Sequence, residues 1–360
     1  MFASEFVSAL RPQILHVQKQ RGNEENMASI YDVAKLAGVS KTLVSRVIND
    51  QKGVSEKSRK KILDAMDELD YRPNAIARSL VLQKTNIIGV IMDSLCQAYY
   101  FDFIKGIEQE IEKSSYEVLF CSARDDVEAK KKYVDFFSQG RTDGFIMYGS
   151  NVRDHKLIEE LEHSRMPMVI VENDVDGLNI NNICVDNRYG SEVMIEYLIQ
   201  QGCKNIYHVT GDLAVKAAID RMEGYRAALK KHGVECREDM IIQADFTVEG
   251  GCQAMRNALE KGMEKLPDAI YFGSDATAAG GMIALEEKGI RIPEDIKVAG
   301  FDNDFIVLPD RKPRRLTTLA QPMFEMGVNA ARLLLDDIKD NPEKKKRIIY
   351  YPELVIGETT

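Results

Sequence analysis

The sequence lacks the features that mark several common classes of protein. No apolar run among its 360 residues approaches the roughly 20 residues that a helix needs to cross a bilayer. The first 27 residues have no basic segment followed by an apolar core and a small-residue cleavage site, so we expect no secretory signal. No G-x-G-x-x-G follows a strand-like run, and no Walker loop or G-x-S-x-G motif is present. These absences argue against a membrane protein, an exported protein and several large classes of enzyme.

Cysteine and histidine are too scattered to suggest a metal site. The six cysteines stand at positions 96, 121, 184, 203, 236 and 252, without a C-x-x-C pair and without histidines at zinc spacing. The five histidines form no cluster of their own. We therefore expect reduced, mostly buried thiols in a cytoplasmic protein that has no metal or other cofactor.

The negative charge of the chain is unevenly distributed. The whole sequence has a formal net charge of −9, but residues 28–84 carry 11 Lys and Arg against 7 Asp and Glu, a balance of +4. Residues 1–27 balance at 3 against 3, which leaves −13 for residues 85–360. Since phosphate repels an acidic surface, any contact with DNA is expected only in the basic N-terminal part.

That basic part is predicted to form a helix-turn-helix. S29-I-Y-D32 has the form of a capping box, and it begins a helix with apolar residues at helical spacing. Gly38 ends this helix, and Ser40 can cap a second one from Lys41 to about Asn49. The apolar stripe of a third predicted helix is formed by Ile62, Leu63, Met66 and Leu69. Two short helices joined by a tight glycine turn and braced by a third are typical of a helix-turn-helix.

Beyond residue 85 the pattern changes to apolar strands that alternate with helical stretches. The predicted strands are IIGVIM (87–92), YEVLFCS (116–122), DGFIMYG (143–149), MPMVIV (166–171), NICVD (182–186), KNIYHVTG (204–211), DAIYFG (268–273) and IKVAGFD (296–302), and a late strand is predicted to end at Gln321. This alternation predicts an α/β fold with parallel sheets covered on both faces. So many units favour two similar lobes over one large sheet.

A set of motifs follows in a fixed order along the chain. The longest are I30-Y-D-V-A-K-L-A-G-V-S-K-T-L-V-S-R-V-I-N49, V54-S-E-K-S-R-K-K-I62 and E68-L-D-Y-R-P-N-A-I-A-R-S-L80. Shorter ones are G89-V-I, G106-I-E, D143-G-F-I, R221-M-E-G-Y, G300-F-D-N and T317-T-L-A-Q-P-M-F-E-M-G-V-N-A-A-R332. Over about residues 28–360 the chain resembles the LacI/GalR (lactose repressor) family of bacterial transcriptional regulators.

The resemblance implies the boundaries of the domains. Residues 28–73, here called the head, would be an all-α helix-turn-helix domain, and residues 74–85 a hinge helix and linker. Residues 86–360, here called the body, would be a periplasmic-binding-protein-like fold of two doubly wound parallel-sheet lobes that binds effector and forms the dimer. The N-lobe is expected at about 86–186 plus 319–339, and the C-lobe at about 187–318 plus 340–360. Residues 1–27 are read either as a start assigned too early, since Met27 stands just before the head, or as a loosely ordered arm.

The second predicted helix supplies the candidates for reading the major groove. A recognition helix needs short polar and long basic side chains near its N-terminus, where the backbone approaches the bases. Lys41 and Thr42 are placed for base edges, whereas the alternative is an ordinary solvated face. The other candidates, for bases or phosphates, are Ser40, Ser45, Arg46 and Asn49.

The hinge supplies candidates for the minor groove, and these come from the resemblance alone. Residues 74–81 would form a helix beside that of the partner subunit. Leu80 matches the leucine that wedges between base pairs, and Ala77 matches the small residue near it, with Asn74 able to cap the helix. An apolar wedge unstacks a base step and kinks the duplex, which permits further contacts.

The body is expected to bind a small effector between its lobes, because loops at the carboxyl ends of parallel strands form ligand sites. The candidate residues are Asp93, Ser94, Tyr99, Tyr100, Glu172, Asn173, Arg221, Phe246, Ser274, Asp275, Asp302, Asn303 and Gln321. By resemblance, Arg221 is the pocket arginine, whose planar fork suits hydroxyls or a carboxylate, and Phe246 is a stacking residue. For each candidate, a helix cap or lobe packing is the alternative role.

Two departures from the family pattern bear on the effector. The family commonly has Asn-Pro-aromatic-aromatic where this chain has Q97-A-Y-Y100, and Asn-Asp where it has S274-D275. An acidic or modified sugar is compatible with Arg221, and a neutral sugar is equally compatible.

These observations lead to one expected function. The protein is expected to be a cytoplasmic homodimeric repressor that binds a pseudo-palindromic operator and responds to a sugar or sugar derivative. Three alternatives stay open: a regulator that needs a co-regulator protein, a transport-type binding protein, and an enzyme that uses the same cleft. The attached head and the missing signal argue against the transport protein, and the absence of catalytic motifs argues against the enzyme.

Overall fold

The computed structural model describes residues 28–49, 51–72, 84–149, 151–164, 166–173, 177–261, 263, 266–304, 306, 314–340, 342 and 344–360. The chain divides into two compact units, with the boundary between Gln83 and Lys84. In the described part of the chain, no helix has both the length and the apolar character that crossing a membrane requires.

The head consists of three helices, α1 (Ile30–Ala37), α2 (Lys41–Ile48) and α3 (Glu56–Glu68). In the first turn of α1 the Asp32 carboxylate accepts the backbone N–H of Ser29 at 2.9 Å, as in a capping box. The φ angle of Gly38 is 66°, a left-handed value that ends α1 and turns the chain toward α2. The predicted helix-turn-helix is therefore confirmed.

The core of the head is small and draws on all three helices. It consists of the buried side chains of Val33, Ala34, Val44, Val47, Ile62 and Ala65. The predicted stripe of α3 is wrong at Leu63, which is 46% exposed, while Ala65 is buried instead. The spacing i, i+3, i+4, i+7 from Ile62 includes Ala65 and excludes Leu63, so helix geometry explains the correction.

The body contains twelve described strands and eight described helices. The strands are β1 (Ile87–Met92), β2 (Glu117–Ser122), β3 (Gly144–Tyr148), β4 (Met168–Val171), β5 (Asn181–Val185), β6 (Ile206–Thr210), β7 (Ile241–Gln243), β8 (Ala269–Phe272), β9 (Lys297–Ala299), β10 (Thr318–Ala320), β11 (Arg347–Tyr350) and β12 (Glu353–Val355). The helices are α4 (Phe101–Ile111), α5 (Val127–Ser138), α6 (His155–Glu162), α7 (Asn187–Gln200), α8 (Lys216–Lys231), α9 (Val248–Glu260), α10 (Asp275–Glu287) and α11 (Met323–Asp340).

These elements build two parallel sheets. The first has the order β11-β5-β4-β3-β1-β2, and the second has the order β7-β6-β8-β9. All neighbouring strands in both sheets run parallel. A separate antiparallel pair joins β10 to β12. The expected α/β body of two doubly wound lobes is confirmed.

Each sheet is covered by apolar side chains on both faces. In the first sheet Val90 packs toward α4 and α11, whereas the next residue, Ile91, packs toward α5 and α6. In the second sheet Tyr271 packs with α7 and α8, whereas Phe272 packs with α9 and α10. Successive strand residues face opposite sides, so burial of both faces explains why these strands are continuous apolar runs.

The C-terminal part of the chain divides between the lobes differently from the sequence-based expectation. Segment 340–360 was expected in the C-lobe, but β11 pairs with β5 in the first sheet. Leu319 was expected in the N-lobe, but it is buried in the core of the second lobe with β12 nearby. α11 packs against α4 in the first lobe, as expected. These assignments depend on pairing between strands that are far apart in the sequence, and a local sequence pattern does not predict such pairing.

Candidate functional site

The outer face of α2 carries most of the side chains that were predicted to contact DNA. Lys41, Thr42 and Arg46 are exposed on this face. Val44 and Val47 are buried on the opposite side of the same helix. The division into a core side and a polar side therefore agrees with the sequence pattern.

The two ends of α2 are fixed by their own side chains. The Ser40 hydroxyl accepts the backbone N–H of Leu43 at 3.2 Å and caps the helix. At the other end the half-buried Asn49 amide donates to the Ser45 hydroxyl at 3.4 Å. The side-chain oxygen (Oδ1) of Asn49 is buried and has no hydrogen-bond partner among the described residues. Ser40, Ser45 and Asn49 thus shape the helix as well as its polar face.

Tyr31 was missed by the sequence-based search for this surface. It lies on α1 with 64% of its side chain exposed. The Lys41 ammonium donates to the Tyr31 hydroxyl at 3.0 Å and lies 4.5 Å from the ring centroid. The available signal was an exposed aromatic residue outside the apolar stripe of α1.

The predicted hinge contacts of Asn74, Ala77 and Leu80 lie outside the described residues, and they remain predictions.

A cavity of about 1120 Å³ opens between the two lobes of the body. Its walls come from the carboxyl ends of strands and the loops that follow them, as expected for parallel sheets. Nine of the thirteen predicted effector residues line it, namely Asp93, Ser94, Tyr99, Tyr100, Glu172, Arg221, Phe246, Ser274 and Asp302.

Arg221 is the deepest cationic group among the described residues that line this cavity, and the residue is 3% exposed. Its Nε donates to the Asn187 side-chain oxygen at 2.8 Å, and an N–H of Nη1 donates to the Gly273 carbonyl at 2.5 Å. Nη1 also lies 3.2 Å from the Asp302 carboxylate. The guanidinium carbon lies 3.6 Å from the centroid of the Phe301 ring. These contacts fix the orientation of the guanidinium and neutralise much of its charge.

Two carboxyl groups flank Arg221, that of the buried Glu172 and that of the partly buried Asp302. Burial raises the pKa of Glu172 to about 7, although hydrogen bonds from Val185 and the charge of Arg221 oppose the shift. Burial also raises the pKa of Asp302 to about 6, against the opposing charge of Arg221. With these pKa values both groups can change protonation near neutral pH. Both residues also have positive φ angles, 61° for Glu172 and 110° for Asp302, which few non-glycine residues adopt.

The first lobe adds a group of tyrosines to the wall. The hydroxyls of Tyr99 and Tyr148 lie 3.1 Å apart, and the rings of Tyr100 and Tyr148 meet edge to face with centroids 5.1 Å apart. Burial raises the pKa of all three tyrosines, so they are neutral. Tyr148 was not predicted, because it lies inside a strand and reads as a core residue. Such rings offer apolar faces together with hydroxyl donors.

Four predicted residues lie outside the cavity lining in the described structure. The buried Asp275 carboxylate accepts the Thr318 hydroxyl at 2.7 Å and the Asp304 N–H at 2.8 Å. Gln321 donates to the Asp302 carboxylate at 2.7 Å. The other two are Asn173, which donates to the Asn151 carbonyl at 2.9 Å, and Asn303, which is exposed. Three of the four thus stabilise the cavity loops from behind.

A buried charge cluster beneath Asp93 was also missed. Lys130 is fully buried on α5, and its ammonium lies 2.8 Å from an Asp93 oxygen and 2.6 Å from an Asp154 oxygen. The Asn151 amide donates to the nearby Asp125 carboxylate at 3.1 Å. Lys130 stands among three consecutive lysines, so the sequence offered no sign that one of them was buried.

Comparisons with known proteins agree with this geometry. A model of bacterial regulatory proteins of the lacI family matches residues 29–74. A model of the periplasmic binding protein-like domain matches residues 195–360.

Two curated relatives match nearly the whole chain. The HTH-type transcriptional repressor PurR of Vibrio atlanticus (strain LGP32) is 35% identical over 334 residues, which cover 92% of this chain and 98% of that protein. The HTH-type transcriptional regulator DegA of Bacillus subtilis (strain 168) is 31% identical over 335 residues, with 92% and 98% covered.

Two solved structures are similar over the same span. The Lac repressor dimer bound to operator and the anti-inducer ONPF is 28% identical with a TM-score of 0.79, and 92% of this chain and 99% of that chain are covered. A complex of the transcriptional regulator CelR with cellobiose is 26% identical with a TM-score of 0.69, and 92% and 100% are covered.

These relatives are transcriptional regulators rather than enzymes, and they match both the head and the body of this chain. The helix-turn-helix, the two-lobed body and the interlobe cavity are thus the parts of one kind of molecule. The protein belongs to the lacI family of bacterial regulatory proteins and is a DNA-binding, effector-regulated transcriptional regulator.

Proposed function

We propose that this regulator is a cytoplasmic repressor that binds a pseudo-palindromic operator as a homodimer and is controlled by a sugar or sugar derivative in the interlobe cavity. The solved Lac repressor dimer on its operator supports the dimeric arrangement by similarity. The cellobiose complex of CelR supports a saccharide as the effector. A co-regulator protein remains a predicted alternative partner.

One observation carries the control mechanism: a series of buried and partly buried polar side chains connects the two lobes beside the cavity. It begins at Glu172 in the first lobe, whose carboxylate accepts the Asn187 amide at 3.4 Å. Asn187 accepts from Arg221, and Arg221 pairs with Asp302 in the second lobe. We expect a ligand that contacts this series of residues to favour one arrangement of the lobes, since only such a preference can shift DNA affinity.

The wall chemistry supports a polyhydroxylated ligand. Carboxylates such as Asp93 and Glu172 accept hydroxyl hydrogen bonds, while Arg221 donates them. Aromatic rings such as Phe246 and Tyr99 supply apolar faces for the C–H side of a ring. The volume of about 1120 Å³ is large for one sugar ring and leaves space for a disaccharide or a substituent.

On the DNA side, α2 is assigned to the major groove and the hinge to the minor groove. Arg46→Ala and Leu80→Ala are each expected to abolish specific operator binding in a gel shift and to leave effector binding intact. Normal operator affinity in both variants would contradict this assignment.

The effector assignment is tested with a ligand panel. A thermal-shift screen of the full chain against neutral sugars, sugar acids and sugar phosphates is expected to return at least one ligand that raises the Tm. That ligand should change the affinity of the protein for a duplex selected from a random library. A screen in which no sugar raises the Tm would contradict the sugar assignment, and binding of a single half-site by a monomer would contradict the dimer.

The role of Arg221 is tested against a matched arginine on the same helix. Arg226 is half-exposed and pairs with Glu238 at 2.7 Å, away from the residues that line the cavity. We expect Arg221→Ala to lose the ligand response while Arg226→Ala keeps it. An unchanged response in Arg221→Ala would sink the proposed control mechanism.

A further inference from the structure

We propose that Tyr31 is a specificity-determining residue of the DNA interface, which holds the Lys41 ammonium so that the two side chains together read a guanine in each half-site. The inference rests on the proposed placement of α2 in the major groove. It adds a residue on α1 to a reading surface that the sequence places on α2 alone.

The contact between the two side chains leaves several donors free for DNA. The Lys41 ammonium uses one N–H on the Tyr31 oxygen, at 3.0 Å, and keeps two others. Because Tyr31 accepts this bond, the hydrogen of its own hydroxyl is available to donate. Both side chains are exposed, so the donors face outward from the head.

This donor set matches one base better than the other three. Guanine presents two acceptors, N7 and O6, at the major-groove edge. Adenine presents an acceptor beside an amino donor, and cytosine presents an amino donor, so both place a donor against the ammonium. Thymine presents one acceptor and a methyl group. A lysine with two free N–H groups and a hydroxyl beside it therefore favours guanine.

Tyr31 is suited to orient Lys41 because its backbone is held in the capped first turn of a helix. It stands in the first turn of α1, between Ser29 and Asp32, whose backbone N–H and carboxylate bond at 2.9 Å. A tyrosine has two rotatable side-chain bonds, whereas the lysine stem has four. The ring and hydroxyl therefore restrict a side chain that would otherwise sample many directions before DNA arrives.

The contact has no evident purpose in the folding of the head. Tyr31 is 64% exposed and does not belong to the core of the head, whereas Tyr71 is half-buried and packs against that core. Tyr31→Phe removes one hydroxyl from an exposed ring, so the head should fold normally. Tyr71→Phe removes the same group elsewhere in the head and serves as the matched control.

The experiment begins with selection of binding sites by the full-length protein from a library of randomised 20-base-pair duplexes. The selection is repeated with Lys41→Met, and a guanine that disappears from the selected motif marks the base pair that Lys41 reads. Fluorescence anisotropy then compares the selected duplex with one in which that G·C pair is A·T in both half-sites. The ratio of the affinity for the G·C duplex to the affinity for the A·T duplex is measured for the wild type, Tyr31→Phe, Lys41→Met, the double variant and Tyr71→Phe. Thermal melts of all five proteins confirm folding.

We expect Tyr31→Phe to lower the ratio about three- to tenfold, which is the effect of losing one orienting hydrogen bond. Lys41→Met should bring the ratio close to one, the double variant should equal Lys41→Met, and Tyr71→Phe should match the wild type. An unchanged ratio in Tyr31→Phe would overturn the inference, whether the two affinities stay the same or fall by the same factor, and equal losses would indicate a phosphate contact instead. A wild-type selection without a shared motif would instead contradict the proposed operator reading itself.

Discussion

Replacing Lys130 by methionine tests whether the charge cluster beneath the cavity stabilises the first lobe. The Lys130 ammonium is fully buried between Asp93 and Asp154, at 2.8 and 2.6 Å. Methionine fills much of the space of the lysine stem but removes the cation, so the two carboxylates remain close together without this counter-charge. We expect the free energy of unfolding to fall by about 3–5 kcal/mol, as when one partner of a buried ion pair is removed.

The neighbouring residue supplies the matched control. Lys131 lies on the same helix, is half-exposed, and its ammonium is 3.9 Å from a Glu160 oxygen. Lys131→Met is expected to cost about 0–1 kcal/mol, because water screens an exposed pair. The two variants make the same chemical change one residue apart, so their difference isolates burial of the charge.

The pH dependence separates charge from packing. Burial raises the pKa of Asp93 and of Asp154, and Lys130 opposes both shifts. Without Lys130 these pKa values should rise further. A carboxyl group with a raised pKa in the folded state stabilises the fold at low pH, and this contribution is lost as the pH rises through the folded-state pKa. The deficit of Lys130→Met should therefore be larger at pH 8 than at pH 5.

The assay is urea unfolding of the full chain at both pH values, followed by circular dichroism. Adding Asp154→Asn to Lys130→Met should recover part of the loss at pH 8, because it removes one of the two repelling carboxylates. Two results would refute the reasoning: a loss in Lys130→Met no greater than in Lys131→Met, or a loss that is independent of pH.

Two further predictions concern single positions in the body. Because burial raises the pKa of Glu172 to about 7, its contribution to the free energy of unfolding should fall as the pH rises from 5 to 8, by an amount on the order of 3 kcal/mol. Glu172→Gln should remove this contribution, so equal pH slopes in urea unfolding of the variant and the wild type would contradict the prediction. A Cβ atom on Gly106 would lie 2.2 Å from the Phe324 carbonyl oxygen of α11. Gly106→Ala should therefore lower the free energy of unfolding by about 1–3 kcal/mol through overpacking, and an unchanged thermal melting temperature would contradict this prediction.

The periodicity of the sequence was sufficient to predict the helices and strands that are long or fully buried. Runs such as 87–92 and 268–273 have apolar residues on both faces and were recognised as strands. The strands β7, β11 and β12 were missed, because they have three or four residues each and are only partly buried. Their positions depend on pairing with distant strands, which a local pattern does not encode. The same limit explains the incorrect lobe assignment of β11.

The cavity was predictable where strand ends alone decide which residues face it. Asp93, Glu172 and Asp302 follow strands, and they line the wall as expected. Asp275 also follows a strand, but it turns inward to Thr318, and nothing in the local sequence distinguishes these two orientations. Position along a strand therefore predicts which loops form the site, whereas tertiary hydrogen bonds decide which side chains reach the ligand.

Polar contacts at two separate places join the lobes of the body, and this constrains how an effector can act. One is the series of side-chain contacts that runs from Glu172 through Asn187 and Arg221 to Asp302. The other is a backbone hydrogen bond from the Val152 N–H to the Ala214 carbonyl at 2.9 Å. The second lies beside Asn151, whose amide donates to the cavity residue Asp125. A ligand that contacts Asp125 and Arg221 therefore reaches both joints at once. Since a buried polar group that loses its partner costs about 1–3 kcal/mol, intermediate lobe positions that break only some of these bonds are unfavourable. The body is thus expected to switch between discrete arrangements, and the effector selects between them.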